Sequence, residues 1–170
     1  MNFESTPCGE SWVKERFKES KMIRYVAGLL FDDDMERVAL IHKERGPECV
    51  VGKWNALGGK FEPGESSIPA LIREFEEEGG VKIPADLLKE YCVITGEEGS
   101  FMVYFYYACS TELLEQVKTC EDEEVLIWRI KSLPDNLAPH MTWMIPFLKD
   151  NLTENFIRSI ITSRYAGPLK

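Results

Sequence analysis

The sequence predicts a single domain of the α/β class. Five apolar runs have the length and composition of strands, at 22–31, 37–42, 89–95, 101–110 and 125–130. Helical patterns begin near residue 67 and at residue 141. A chain of 170 residues suits one domain with a sizeable core. We place this domain at 21–165 and treat 1–20 as an N-terminal extension or a short helix.

Composition restricts the function. Hydrophobic residues make up 44% of the chain and charged residues 29%, as in ordinary globular domains. The formal net charge of −9 disfavours a broad grip on nucleic-acid polymers and suits a site that recruits cations. Five scattered cysteines without a Cys-x-x-Cys pair indicate reduced thiols. With no signal peptide or membrane-length segment, we expect a cytoplasmic protein that does not contact a membrane.

The first two apolar runs predict a β-hairpin. Residues 22–31 are almost continuously apolar, as in a buried strand, and 37–42 return as the partner strand. The three aspartates at 32–34 favour a turn between them. A loop over 43–53, rich in turn residues, leads to Trp54, which we expect in the core.

A helix is predicted to begin after a loop rich in glycine and proline. Ser66 or Ser67 can cap it, and Pro69 is tolerated in the first turn, where backbone donors have no helical partner. Gly79 and Gly80 end it. Apolar residues recur on one face, at Ile68, Leu71, Ile72 and Phe75.

Three carboxylates form a stripe beside that apolar face. Glu74, Glu77 and Glu78 stand at positions i, i+3 and i+4, where like charges repel one another. Charge alone favours a solvated acidic face, with Arg73 softening the repulsion. The alternative is a site for a hard cation such as Mg²⁺ or Mn²⁺, which oxygen ligands suit.

The second half of the chain predicts two further strands, at 89–95 and 101–110, then a short helix or turn at 111–118. An acidic run at 121–124 precedes the last predicted strand. The helix from residue 141 is expected to reach about residue 163. One face of the sheet would be covered by Trp143, Ile145 and Phe147.

Residues 59–81 carry a motif of nine constrained positions, Gly-x5-Glu-x7-Arg-Glu-U-x-Glu-Glu-x-Gly-U, where U is apolar. It is filled without departure by Gly59, Glu65, Arg73, Glu74, Phe75, Glu77, Glu78, Gly80 and Val81. The chain therefore resembles the Nudix hydrolases, whose box this is. The resemblance implies an α/β/α sandwich with a mixed β-sheet. It also implies metal-dependent cleavage of a nucleoside diphosphate linked to another group.

The resemblance assigns roles around the carboxylate stripe. Glu77 and Glu78 are expected to be primary ligands of Mg²⁺ or Mn²⁺, and Glu74 a ligand or the general base. Arg73 is expected to orient Glu74, and the carbonyl of Gly59 to be a further ligand. Members of the family often supply one more glutamate just before a strand that carries tryptophan. Spacing to Trp128 places it at Glu123, with Glu124 as the neighbouring alternative, and Glu123 is expected to complete the metal's ligand shell or to serve as the base.

A narrower resemblance concerns the segments Lys43-Glu44-Arg45-Gly46 and Trp54-Asn55-x-x-Gly58-Gly59-Lys60. They are similar to the Nudix subgroup that hydrolyses oxidised purine nucleoside triphosphates. This implies substrate contacts for Lys43, Asn55 and Lys60, with Asn55 on the base. From its chemistry alone, Asn55 is equally a turn residue that bonds its own backbone. The subgroup often carries a tryptophan and paired aspartates where this chain has 138–141, which weakens the expectation of oxidised guanine.

These features predict a metal-dependent hydrolase of nucleoside triphosphates, including oxidised or other purine nucleotides. Its products would be a nucleoside monophosphate and pyrophosphate. One alternative is a Nudix hydrolase of a dinucleotide or nucleotide sugar, such as ADP-ribose, NADH or a dinucleoside polyphosphate. A proline typical of ADP-ribose enzymes is replaced here by Thr95. Another is a nucleotide sensor that does not cleave. The expected partner is a small nucleotide, and the expected assembly a monomer or homodimer.

Overall fold

The computed structural model describes residues 22–96, 100–151 and 159–162. The predicted N-terminal extension at 1–20 lies outside them. The strands are β1 Ile23–Phe31, β2 Arg37–Lys43, β3 Lys53–Asn55, β4 Lys89–Thr95, β5 Phe101–Cys109, β6 Val125–Arg129 and β7 Ser159–Thr162. The helices are α1 Ser67–Gly79, α2 Thr111–Leu114 and α3 Met141–Asn151, with 3-10 turns at Ala85–Leu87 and Ile130–Ser132. All five predicted strands are confirmed.

The strands form one mixed sheet. Its order is β3-β2-β1-β5-β4-β7, and β6 pairs with β2 outside this path. The β1–β5 and β4–β7 pairs are parallel, whereas the other pairs are antiparallel. The predicted mixed sheet is therefore confirmed.

Side-chain alternation along β1 divides the core into two clusters. Leu29 and Phe31 join one cluster, which Met144 and Leu148 of α3 cover. Residues on the opposite face, among them Leu30, join a second cluster under α1. A helix on each face of a sheet is the α/β/α sandwich that the resemblance implied.

Helix α1 takes its place through both of its ends and its apolar face. Ser66 is the N-cap residue without a side-chain cap, and the hydroxyl of Ser67 instead lies 2.7 Å from the Tyr106 hydroxyl of β5. At the other end Gly80 adopts a left-handed conformation at φ 64°, which ends the helix as predicted. Leu71 and Phe75 are completely buried, and each such burial stabilises the fold by about 1.5–3 kcal/mol. The acidic stripe of α1 is thereby held at a fixed height over the sheet.

The predicted C-terminal helix was too long. Helix α3 extends to Asn151, and Ser159–Thr162 form a strand that pairs parallel with β4. The prediction that Trp143 and Phe147 face the sheet was also wrong, since they are 38% and 36% exposed. Apolar residues occur nearly all around this helix, and periodicity alone could not tell which face packs. Within the described residues, no helix is both long and apolar enough to span a membrane.

Candidate active site

The segment that follows β3 forms antiparallel bridges with β1, an interior strand of the sheet. The amide of Val26 donates to the carbonyl of Gly59 at 2.9 Å, and the amide of Gly28 donates to Leu57 at 2.8 Å. These bonds hold the Gly58–Gly59 peptide beside the acidic stripe of α1. The Gly59 carbonyl keeps a second lone pair, so the predicted role as a ligand stays compatible with this geometry.

Two carboxylates of α1 pack directly on that peptide. An added Cβ on Gly59 would lie 2.5 Å from Oε1 of Glu74, so only glycine leaves room for this carboxylate. The amide of Gly58 donates to Oε2 of Glu78 at 2.8 Å. Their side chains are only 12% and 6% exposed. Gly58 and Gly59 therefore allow the carboxylates of Glu74 and Glu78 to pack against the backbone in a position that is largely shielded from solvent.

Arg73 ties the stripe to the preceding loop. Its Nε lies 3.0 Å from Glu65, and its Nη1 lies 2.8 Å from Glu74 and 2.9 Å from Glu77. A further donor of Arg73 reaches the carbonyl of Lys60. The guanidinium thus contacts the carboxylate that the sequence predicted it to orient. Glu77 lies on the outer side of this cluster and is 47% exposed.

A buried lysine connects α1 with the loop before β6. The Nζ of Lys43 lies 2.7 Å from Oε1 of Glu78 and 2.7 Å from Oε2 of Glu123. Glu123 also accepts hydrogen bonds from the amides of Glu44 and Arg45. This loop therefore brings the carboxylate of Glu123 to the acidic stripe of α1, although Glu123 and Glu78 are 45 positions apart in sequence.

The structure distinguishes Glu123 from Glu124, the two candidates for the additional glutamate before β6. The carboxylate of Glu123 is buried against Lys43, whereas Glu124 is exposed and contributes its carbonyl to the amide of His42. Glu123 is thus the residue of this pair that reaches the site. Its predicted role as a metal ligand stays a prediction.

Burial and neighbouring charges shift the pKa values of the carboxylates in this site. Burial raises the pKa of Glu78 to about 7, and nearby Glu74 adds to this while Lys43 opposes it. Burial likewise raises the pKa of Glu74, against the stabilising effect of Arg73. For Glu123, burial is outweighed by Lys43 and by the amides of the 44–45 segment, which lower its pKa. A further positive charge would relieve the two carboxylates of α1.

The donor set fits a hard divalent cation. Five carboxylates surround two cations, Arg73 and Lys43, which leaves a formal excess of three negative charges. The ligand atoms available are oxygens, as Mg²⁺ and Mn²⁺ prefer. In the described ranges no three acidic, histidine or cysteine side chains already converge on one point. Lys43 holds the space between Glu78 and Glu123, so cation binding there requires its ammonium to move.

A cavity of about 650 Å³ opens beside these groups. Its lining includes Lys43, Gly59 and Glu123 of the charged site, but none of the three glutamates of the α1 stripe. The walls are mostly apolar and include aromatic side chains. Such a combination of an apolar chamber and a few charged groups suits a ligand with a flat body and a charged tail. The aromatic residues in its lining are Tyr25, Phe101 and Phe105.

The three predicted substrate contacts, Lys43, Asn55 and Lys60, all line this cavity. Asn55 lines the chamber, where its Oδ1 accepts from the amide of Ala56 at 2.9 Å and lies 2.9 Å from Nε2 of His140. Asn55 thus bonds its local backbone, as expected of a turn residue, and also lines the cavity, while its contact with a base stays a prediction. Lys60 lines the same cavity, with its Nζ 5.9 Å from the ring centroid of Tyr25.

Sequence reasoning missed His140 as a site residue. Residues 136–138 run beside Trp54, with the amide of Ala138 donating to the Trp54 carbonyl at 2.8 Å. This pairing brings His140 against Asn55, although 85 positions separate them. The unusual 138–141 segment was visible in the sequence, but nothing in its spacing indicated the contact.

An α/β/α sandwich with a box of carboxylates packed on a glycine loop defines a Nudix-type protein. The family model of the NUDIX domain matches residues 22–150. The chain therefore belongs to the Nudix hydrolase family, as the sequence motif indicated.

The proteins similar to this chain include two curated relatives and a solved structure. The 8-oxo-dGDP phosphatase NUDT18 of Homo sapiens is 35% identical over 141 residues, which are 81% of this chain and 41% of that protein. The chain thus matches less than half the length of that relative. The CTP pyrophosphohydrolase of Escherichia coli is 28% identical over 64% of this chain and 76% of its own length. A NUDIX hydrolase from Nitrosomonas europaea shares the fold, with a TM-score of 0.62 at 16% identity, covering 86% of this chain and 81% of that one.

Proposed function

We propose that this protein hydrolyses nucleoside triphosphates to a nucleoside monophosphate and pyrophosphate, with Mg²⁺ or Mn²⁺ as cofactor. The observation that carries the proposal is the packing of Glu74 and Glu78 on the Gly58–Gly59 peptide, which itself lines a mostly apolar cavity. A base fits the chamber, and the polyphosphate then extends toward the charged site. Purine nucleotides, oxidised or not, are the favoured substrates.

The proposed ligands of the cation are Glu74, Glu77, Glu78, Glu123 and the carbonyl of Gly59. A bound divalent cation neutralises phosphate charge and lowers the pKa of bound water. Glu77 stands apart in the present geometry, and it would join the others by rotating away from Arg73. Glu74 is the alternative general base, because burial raises the pKa of its carboxylate toward the working pH.

Two basic side chains complete the proposed site. Arg73 orients Glu74 through a charge-assisted hydrogen bond at 2.8 Å, and it anchors the loop through Glu65. Lys43 neutralises Glu78 and Glu123 in the cation-free state. Released from that contact, its ammonium lies at the cavity wall, within reach of a bound polyphosphate.

A second candidate is hydrolysis of a nucleoside diphosphate. The name of the human relative supports it, since that protein is called a phosphatase of 8-oxo-dGDP. The same carboxylates would serve, and the products would be a monophosphate and inorganic phosphate. The dinucleotide, nucleotide-sugar and sensor alternatives remain candidates in the test.

The deciding experiment is product analysis on a nucleotide panel. The purified protein is incubated with nucleoside triphosphates, diphosphates, ADP-ribose and a dinucleoside polyphosphate, with Mg²⁺ or with excess chelator. Chromatography then separates monophosphate plus pyrophosphate from monophosphate plus phosphate. We expect turnover of triphosphates that requires the cation. Undiminished turnover in chelator would exclude the carboxylate–metal assignment, and cation-dependent binding without products would favour the sensor.

A further inference from the structure

The backbone amide of Ala56 determines which way the Asn55 carboxamide faces. The amide of Ala56 lies 2.9 Å from Oδ1 of Asn55. A backbone N–H donates and never accepts, so the atom that it reaches must be the carbonyl oxygen. This bond leaves Nδ2 on the other branch of the carboxamide. The orientation of Asn55 is therefore set by its own backbone.

The contact between Asn55 and His140 then determines which ring nitrogen of His140 carries the proton. Its Nε2 lies 2.9 Å from the Asn55 oxygen, which can only accept. Nε2 must therefore carry the hydrogen. Burial lowers the pKa of His140 to about 4, so the ring is neutral near pH 7. The ring of Phe105 packs edge-on against it with centroids 5.7 Å apart, which holds its plane.

Together the two bonds leave Asn55 with one kind of polar group for a ligand. A carbonyl oxygen has two lone pairs, and the Ala56 amide and His140 occupy both. The Nδ2 group of Asn55 makes no hydrogen bond within the described residues, and it is not fully shielded from the cavity that Asn55 lines. Asn55 therefore presents only hydrogen-bond donors to a ligand in this cavity.

We propose that His140 is a positioning residue that makes Asn55 a donor-only reader, so that the cavity selects bases presenting a carbonyl oxygen over bases presenting an amino group. The predicted preference is for 6-oxopurines, such as guanine and hypoxanthine, over adenine. It rests on the proposed function, because it assumes that the nucleotide base occupies this chamber.

The chemistry of the purine edge supports this preference. Guanine presents acceptors at O6 and N7, whereas adenine presents a donor at N6. The N6 group would meet the Nδ2 donors of Asn55, and two donors buried against each other lose their hydrogen bonds to water. The resulting preference should be on the order of tenfold to a hundredfold. Without His140, Oδ1 regains a lone pair and can accept from an amino group.

The test compares hypoxanthine and adenine nucleotides, which differ at position 6 of the base and its neighbouring N1. Calorimetry with Mg²⁺ measures the binding of inosine and adenosine monophosphates, which requires no hydrolysis. The ratio of kcat/KM for the two triphosphates is measured in parallel. We expect the native protein to favour hypoxanthine by roughly tenfold or more in both. His140→Phe should bring the ratio toward one, and His140→Gln, which can still donate to Oδ1, should keep most of it.

Asn55→Asp provides a second test that does not depend on replacing the buried ring. It leaves an acceptor oxygen in place of Nδ2, so the preference should reverse toward adenine. Equal affinity for both monophosphates in the native protein would overturn the inference, as would an unchanged ratio in a folded His140→Phe variant. Failure of both monophosphates to bind would overturn it as well. Selective binding without triphosphate cleavage would instead reject the proposed function and leave the inference standing.

Discussion

The Nζ of Lys43 lies 2.7 Å from Oε1 of Glu78 and forms an equally short contact with Glu123. An ammonium thus occupies the space between two proposed metal ligands. Burial opposes the charge on Lys43, but the two carboxylates outweigh it and raise its pKa. Lys43 therefore offsets part of the negative charge of these two carboxylates.

Replacing this lysine should destabilise the cation-free protein. Lys43→Met leaves two buried carboxylates without their counter-ion. The cost should be about 3 kcal/mol, at the lower end for a broken buried pair, because Glu78 takes up a proton readily. Added Mg²⁺ should recover part of the loss. Urea unfolding with chelator and with Mg²⁺ measures both effects. Lys82→Met, at an exposed position, is the matched control. A Lys43→Met protein as stable as the native one in chelator would contradict this account.

Neutralising the carboxylates of α1 should abolish turnover and keep the fold. Glu77→Gln or Glu78→Gln removes a proposed charged ligand at nearly constant volume, and the fall in like-charge repulsion offsets the lost ion pair with Arg73 or Lys43. Losing several kcal/mol of transition-state stabilisation lowers kcat by on the order of a hundredfold or more. Glu76→Gln, exposed on the same helix, should change little. The measurements are kcat at limiting Mg²⁺ and the melting temperature. Lost activity together with a lower melting temperature would point to a structural role instead.

A single methyl group on Gly59 should displace Glu74. The new Cβ would lie 2.5 Å from Oε1 and 2.6 Å from Oε2 of this carboxylate. Because the carboxylate ends a flexible side chain, Gly59→Ala should cost little stability while lowering kcat by roughly tenfold or more. A double-mutant cycle with Glu74→Gln isolates the coupling. Equal effects of Gly59→Ala in both backgrounds would show that it acts elsewhere.

Removing the Asn55 side chain should alter base selection more than phosphate chemistry. Asn55→Ala leaves a base edge unpaired, which costs on the order of 1–3 kcal/mol and lowers kcat/KM for the preferred purine by tenfold to a hundredfold. A pyrimidine triphosphate that uses this contact poorly should change little. Parallel kinetics on both substrates test this. An equal loss on each would mean that Asn55 shapes the loop through Ala56.

The stability of the protein should fall below pH 6.5 partly through His140. Burial lowers the pKa of its ring from 6.5 to about 4. Between these values the unfolded chain binds a proton that the folded chain does not, so folding weakens as pH falls. The full effect is about 3 kcal/mol, complete near pH 4. His140→Gln should show a correspondingly smaller loss between pH 7 and pH 4 in urea unfolding. Parallel pH profiles for the two proteins would remove His140 as the cause.

The sequence by itself determined the elements whose signals are local. Helix α1 was predictable because its apolar period, its serine start and its Gly80 stop all lie within one short segment. The box residues could be recognised as one group for the same reason, because they all lie within residues 59–81. The contact of Arg73 with Glu74 was predicted, whereas its contact with Glu65, which reaches across the preceding loop, was not.

Only the tertiary structure decided which distant residues share the cavity. Lys43 meets Glu78 and Glu123 because β2, α1 and the loop before β6 converge, and periodicity carries no information on such convergence. The end of α3 and the strand Ser159–Thr162 also escaped prediction, since pairing with β4 decides that strand. His140 reaches Asn55 through backbone pairing across 85 positions. A hydrogen bond of that kind depends on where the sheet places each chain segment, which local sequence does not encode.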